Sequence, residues 1–221
     1  MIKAVIFDWD GTLMDSEARI VHAMQRAFVT RGAAAPVDAA IRDIIGLDLP
    51  TAIARIDGRL SAAQVDAIAA TYRQTYATSH AIPSPLFAGA EAALAALAAQ
   101  GLALAVATGK SRAGLNRAMA EAGIATYFST TRTADESAPK PDPAMLRDIL
   151  ADLDLEPRQA LMLGDTEFDL AMAAAAATFG GAVTFGAHDR ARLLRYNPVL
   201  VIDALSELPD RIRQINCDLN L

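Results

Sequence analysis

Short apolar runs recur along this chain at intervals too long for hairpins and about right for one helix each. "IKAVIF" (2–7), "LALAVAT" (102–108), "ALMLGD" (160–165), "AVTFG" (182–186) and "PVLVID" (198–203) stand out, with a weaker run, "YFSTT", at 127–131. Helical patterns fill 89–100, 111–122, 142–151, 166–177 and about 204–215. Strands alternating with single helices imply a parallel sheet with helices on both faces. Strands covered on both sides carry continuous apolar sequence, as these do. The rhythm breaks once. Residues 8–101 separate the first run from the second, and most of them are helical: "EARIVHAMQRAFVTRG", "AAIRDIIG", "LPTAIARI" and "AAQVDAIAATYRQTYATSH". A crossover needs one helix, so the remainder is an insertion, and "HAIPSPLFAG" with its two prolines marks the return. The expected architecture is therefore α/β: a Rossmann-like core of about five parallel strands, residues 1–15 and 81–221, with a helical cap over 16–80.

Composition narrows the function. The 221 residues are 53% hydrophobic with a net charge of −6, which disfavours nonspecific contact with nucleic acid or anionic lipid. No apolar run approaches the roughly 20 residues of a membrane span. "AVIF" leading into aspartates is not a secretory signal. The single cysteine, Cys217, has no partner in the chain, and the simplest expectation is a reducing, cytoplasmic setting.

In open α/β sheets, ligands bind beyond the carboxyl ends of the strands. The first strand ends in Asp8 and Asp10, the second in "ATGK" with Thr108, Gly109 and Lys110, and the fourth in "GDTEFD" with Asp165 and Asp169. The loop after the weak third strand carries Lys140 between prolines. Four carboxylates at one rim repel unless a cation holds them ionised. An all-oxygen set with no histidine or cysteine suits Mg²⁺, which binds few carboxylates together with phosphate. Lysine, a hydroxyl and a helix N-terminus complete a phosphate site. One aspartate could then act as nucleophile and its neighbour as acid/base.

"DWDGT", "ATGK", Lys140 before "PDP", and "GDTEFD" occur in the order of the four motifs of the haloacid dehalogenase superfamily, which this chain resembles over essentially its whole length. The resemblance implies a nucleophile at Asp8 and an acid/base at Asp10. It implies phosphate binding by Thr108, Gly109 and Lys140, and Mg²⁺ held by Asp8, the Asp10 carbonyl and Asp165 with Asp169 in support. Dehalogenating relatives lack the second aspartate, so Asp10 favours phosphoryl transfer. The insertion has no lysine for Schiff-base chemistry, and Leu49 stands where mutase relatives carry arginine. The implied activity is that of the phosphoglycolate phosphatase-like group: Mg²⁺-dependent hydrolysis of a small phosphorylated metabolite through an aspartyl-phosphate. The alternatives are a phosphosugar phosphatase or phosphomutase, a pyrophosphatase, or a phosphate-binding module without turnover. The cap arginines Arg19, Arg42, Arg55 and Arg73 are expected on solvated faces, His22 in a structural role, and Lys110 either on phosphate or in solvent. The cap is also expected to close over the substrate about hinges near 12–16 and 80–88.

Overall fold

The computed structural model describes residues 1–218. Six parallel strands form one sheet: β1 (Ala4–Phe7), β2 (Ala103–Thr108), β3 (Thr130–Thr133), β4 (Ala160–Gly164), β5 (Phe179–Val183) and β6 (Leu200–Ile202), in the order β3-β2-β1-β4-β5-β6. Alternate residues of β1 feed two cores, as the two-residue period of a strand requires. Val5 and Phe7 join Leu94, Leu97, Leu115 and Ile212 on one face, while Ala4 and Ile6 join Met145, Leu146, Ile149 and Met172 on the other.

Ten α-helices accompany the strands among the described residues. In chain order they are α1 (Glu17–Thr30), α2 (Asp38–Arg42), α3 (Leu49–Ile56), α4 (Ala62–Thr78), α5 (Ala90–Ala99), α6 (Arg112–Ala122), α7 (Ala144–Leu153), α8 (Glu167–Ala175), α9 (Arg190–Leu194) and α10 (Leu208–Asp218). Helices α1 to α4 all fall between β1 and α5 and build an apolar cluster of their own, from Ile20, Met24, Phe28, Ile41, Ile53, Val65 and Ile68. Phe168 of α8 reaches into that cluster from the sheet side.

The sheet has six strands where about five are expected, because the weak run "YFSTT" does end in a strand, β3, with a short helical turn over Ala125–Tyr127 ahead of it. The fifth strand starts three residues earlier than the apolar run at 182–186. Gly180 and Gly181 read as breakers, yet both pair with β4, and added Cβ atoms there would press on Leu161, Leu163 and Leu170.

The chain enters and leaves the helical layer side by side. Met14 pairs antiparallel with Leu86. The Asp15 N–H donates to the Pro85 carbonyl at 2.8 Å, and the Phe87 N–H donates to the Leu13 carbonyl at 2.9 Å. On the far side of the site, Arg192 of α9 ties the layers together, 2.5 Å from Asp43 and also paired with Glu167.

Candidate active site

Strand register brings the site together. Phe7 lies between Val106 and Leu163, so the residues just beyond them emerge at one rim. The Asp8 N–H donates to the Leu163 carbonyl at 2.9 Å, carrying the ladder one step past the strand. β1 sits where the chain order reverses, with β2 on one side and β4 on the other, the switch point at which open α/β sheets hold ligands.

Asp8, Asp165 and Asp169 are buried, with a carboxylate oxygen from each within 4.8 Å of the others. Lys140 is buried among them. Its Nζ lies 2.7 Å from Asp8 Oδ1 and 2.6 Å from Asp169 Oδ1. A solvated loop lysine is thereby ruled out. Asp165 accepts from the Thr12 hydroxyl and the Ala187 N–H, both at 2.8 Å. The other oxygen of Asp169 accepts from the Thr166 hydroxyl at 2.7 Å and its N–H at 3.1 Å. Asp8 Oδ2 differs: among the described residues nothing donates to it, although it is buried.

Ionised, the three carboxylates and one ammonium would leave a surplus of negative charge in a dry site. Burial is the largest influence on Asp8 and raises its pKa well above the usual aspartate value; Lys140 opposes this, and Asp169 and Asp165 reinforce it. Burial first, then Asp169, raises Asp165 to about 7. Burial works against the Lys140 charge, but Asp169 and Asp8 outweigh it and keep the ammonium firmly protonated. An orphaned carboxylate oxygen within an all-oxygen, over-negative cluster fits a hard divalent cation.

Asp10 faces the other way. Its Oδ1 accepts from the Ser16 hydroxyl at 2.5 Å, and its Oδ2 lies 2.9 Å from Lys110 Nζ. Lys110 also sits over the ring of Tyr76 in α4, 4.7 Å from its centroid. The Lys110 expectation of phosphate or solvent thus gives way to a third partner. Thr108 is buried at the rim, where its hydroxyl accepts from the Lys110 N–H at 3.2 Å.

Backbone approach fixes the glycines. Gly11 holds φ at +82°, and a Cβ there would fall 2.2 Å from Asp165 Oδ2. Gly109 lies against the segment between α2 and α3, and a Cβ on it would come within 2.6 Å of the Leu47 carbonyl oxygen.

A second expectation is corrected. Arg19 is buried, not solvated: its Nε donates to the Tyr76 carbonyl at 3.0 Å and its guanidinium stacks on the Tyr76 ring. Trp9 is core, packed edge-on against Phe128. From sequence Thr12 and Ser16 are expected only as bounds of a hinge, not as partners of Asp165 and Asp10, and Tyr76 carries no expectation. Thr12 stands inside the first motif and so carried a signal; the Tyr76 contact spans two layers and carried none.

Comparison with known proteins gives the family. A family model described as haloacid dehalogenase-like hydrolase matches residues 5–183. A curated Dickeya dadantii protein named "Probable phosphatase IndB" is 36% identical, covering 94% of this chain and 92% of its own length. The phosphoglycolate phosphatase of Rhodospirillum rubrum is 34% identical over 95% of this chain and 90% of its own. Among solved structures, a haloacid dehalogenase-like family hydrolase from Streptococcus pneumoniae superposes with a TM-score of 0.84 at 27% identity, over 96% of this chain and 98% of that one.

Proposed function

The chain belongs to the haloacid dehalogenase-like hydrolases, and from that premise we propose that it is a Mg²⁺-dependent phosphatase acting on a small phosphomonoester through an aspartyl-phosphate. The observation that carries this reading is Asp8: one oxygen is held by Lys140 while the other is buried and unpartnered beside Asp165 and Asp169. That is an anchored nucleophile with an oxygen left for a ligand. Residues 16–80 act in this reading as a cap on the α/β core.

Asp8, Asp165 and the Asp10 carbonyl would hold the ion, with Asp169 supporting through Lys140 and Thr166. Bound Mg²⁺ neutralises the carboxylates and the phosphoryl oxygens. Thr108, the Gly109 backbone and Lys140 bind and orient the phosphoryl group. An Asp8 oxygen attacks phosphorus and the ester P–O bond breaks; Asp10 delivers its proton to the departing alkoxide. Asp10, now ionised, takes a proton from water as that water attacks the phosphorus on Asp8. Inorganic phosphate leaves, and both aspartates return to their starting states. Ser16 and Lys110 hold Asp10 in its ionised form, the one that takes the proton from water in the second step; to act as the acid of the first step Asp10 must carry a proton and give up the Lys110 contact.

Several relatives bear the name phosphoglycolate phosphatase, which makes phosphoglycolate the first ester to assay. Phosphate release should need Mg²⁺ and cease in excess chelator. Asp8→Asn should fold yet lose turnover, and Asp10→Asn should accumulate a phosphorylated enzyme visible by intact mass when given an aryl phosphate. Chelator-resistant hydrolysis, or an Asp8→Asn variant with near-normal rate, would overturn the assignment.

A further inference from the structure

The cavity above the carboxylates encloses about 370 Å³, within the roughly 300–1,000 Å³ range of pockets that bury drug-sized molecules. Its floor is the rim already described, with Asp8, Asp10, Thr108 and Lys110. Its roof comes from the helical layer and is apolar. Ile20 and Met24 descend from α1, Ile44 and Leu47 from the segment before α3, and Tyr72 and Tyr76 from α4. A phosphoryl group engages the floor, so the roof faces the alcohol half of the ester.

Charge around the roof says what kind of alcohol that is. Lys110 at the floor is already paired with Asp10, and Lys140, buried among the carboxylates, with Asp8 and Asp169. Arg73 and Arg117 border the cavity but are exposed, so an anion beside either remains in water. Besides the exposed Arg73, the roof contributes Asp48, which caps α3 by accepting from the Thr51 N–H at 3.2 Å and whose Oδ1 is buried with no hydrogen-bond partner among the described residues. A carboxylate close to the ester oxygen would meet apolar wall and a like charge, losing hydration without compensation. An uncharged ring would instead bury its faces against Tyr72, Leu47 and Ile44, where aromatic and aliphatic surfaces both gain.

We infer that the site prefers phosphomonoesters of uncharged, ring-sized, largely apolar alcohols over esters of short acids such as glycolate. The inference rests on the phosphatase reading above and adds the identity of the alcohol.

The test is kcat/KM with Mg²⁺ for ethyl phosphate, phenethyl phosphate and phosphoglycolate, with para-nitrophenyl phosphate as a general phosphatase control. Ethyl and phenethyl phosphates release primary alkoxides of similar quality, so their ratio reports the fit of the ring. Phenethyl phosphate should exceed the other two alkyl esters by about tenfold or more, the scale of discrimination an apolar pocket provides. Tyr72→Ser should shrink the phenethyl-to-ethyl ratio several-fold. Equal rates for ethyl and phenethyl esters, or phosphoglycolate as the best of the three, overturns the inference while the phosphatase reading stands. An unchanged ratio in folded Tyr72→Ser also overturns it, and the wild-type series decides alone if that variant does not fold. If even para-nitrophenyl phosphate is untouched, the phosphatase reading falls and the inference with it.

Discussion

A buried ammonium between two carboxylates is tenable only while its partners stay ionised, and Lys140 is in that position with Asp8 and Asp169. Removing one member of such a set leaves uncompensated buried charge, typically costing about 3–5 kcal/mol. Lys140→Met should lose stability on that scale in chelator and recover part of it with Mg²⁺, as denaturant melts under both conditions would show. Equal stability with wild type in chelator would mean that the carboxylates are neutral without it. Protons and metal compete for Asp165 in the same way. Its native pKa of about 7 lies above the ordinary aspartate value of about 3.9, so the native state binds the extra proton between those limits. In chelator its contribution to stability therefore declines as pH rises from about 4 to 7. Mg²⁺ binds the ionised form, so the rise in Tm on adding Mg²⁺ should be larger at pH 8 than at pH 5; a rise independent of pH would contradict this. The gathering of Asp8, Lys140, Asp165 and Asp169 was legible in sequence because strand ends in a parallel sheet share one rim. Ser16 on Asp10 and Lys110 on Tyr76 were not, because those contacts depend on how a loop curls and on how a second layer is seated.

The two layers meet backbone to backbone where β2 ends. Gly109 follows β2, and the carbonyl oxygens of Gly46 and Leu47 lie where its Cβ would stand, at 2.8 and 2.6 Å. Backbone oxygens cannot swing aside as a side chain can, so Gly109→Ala must lift the helical layer or deform the rim. Overpacking of this kind costs about 1–3 kcal/mol. The variant should melt earlier and show faster amide exchange in 43–48 with little change in the sheet; unaltered exchange there would show that the segment yields freely. Sequence reading found β1, β2, β4 and β6 close to their places because each is a short, nearly continuous apolar run, even where β2 alternates alanine with Leu104 and Val106. It displaced β5, where glycines permit β4 and α8 to approach, since residues chosen for smallness carry no strand signal.

Across the whole molecule, the helical layer has its own apolar cluster and meets the sheet side through Phe168, the Arg192 bridge, Gly46 and Leu47 against Gly109, and Tyr76 against Lys110. Because Asp15 and Pro85 are already hydrogen-bonded, replacing residues 17–83 with a short Gly/Ser link should leave a sheet that still melts cooperatively, at lower temperature because Phe168 becomes exposed. Loss of the cooperative transition would show that the layers fold as one unit. The insertion was visible in sequence as a crossover far longer than one helix; how its helices seat on the rim was not. The bridged segments at 13–15 and 85–87 also have a kinematic consequence. Two separated tethers would let the layers slide or twist, whereas a doubled one acts as a single hinge line and leaves chiefly one rotation. Displacement then grows with distance from that line, and it separates cavity-lining residues of the helical layer, such as Pro50, from those of α6, such as Ala113. Spin labels at Thr51 and Asn116, in a chain with Cys217 replaced, should report a broad spread of distances that narrows when vanadate and Mg²⁺ are bound, while a pair placed beside the hinge stays narrow throughout.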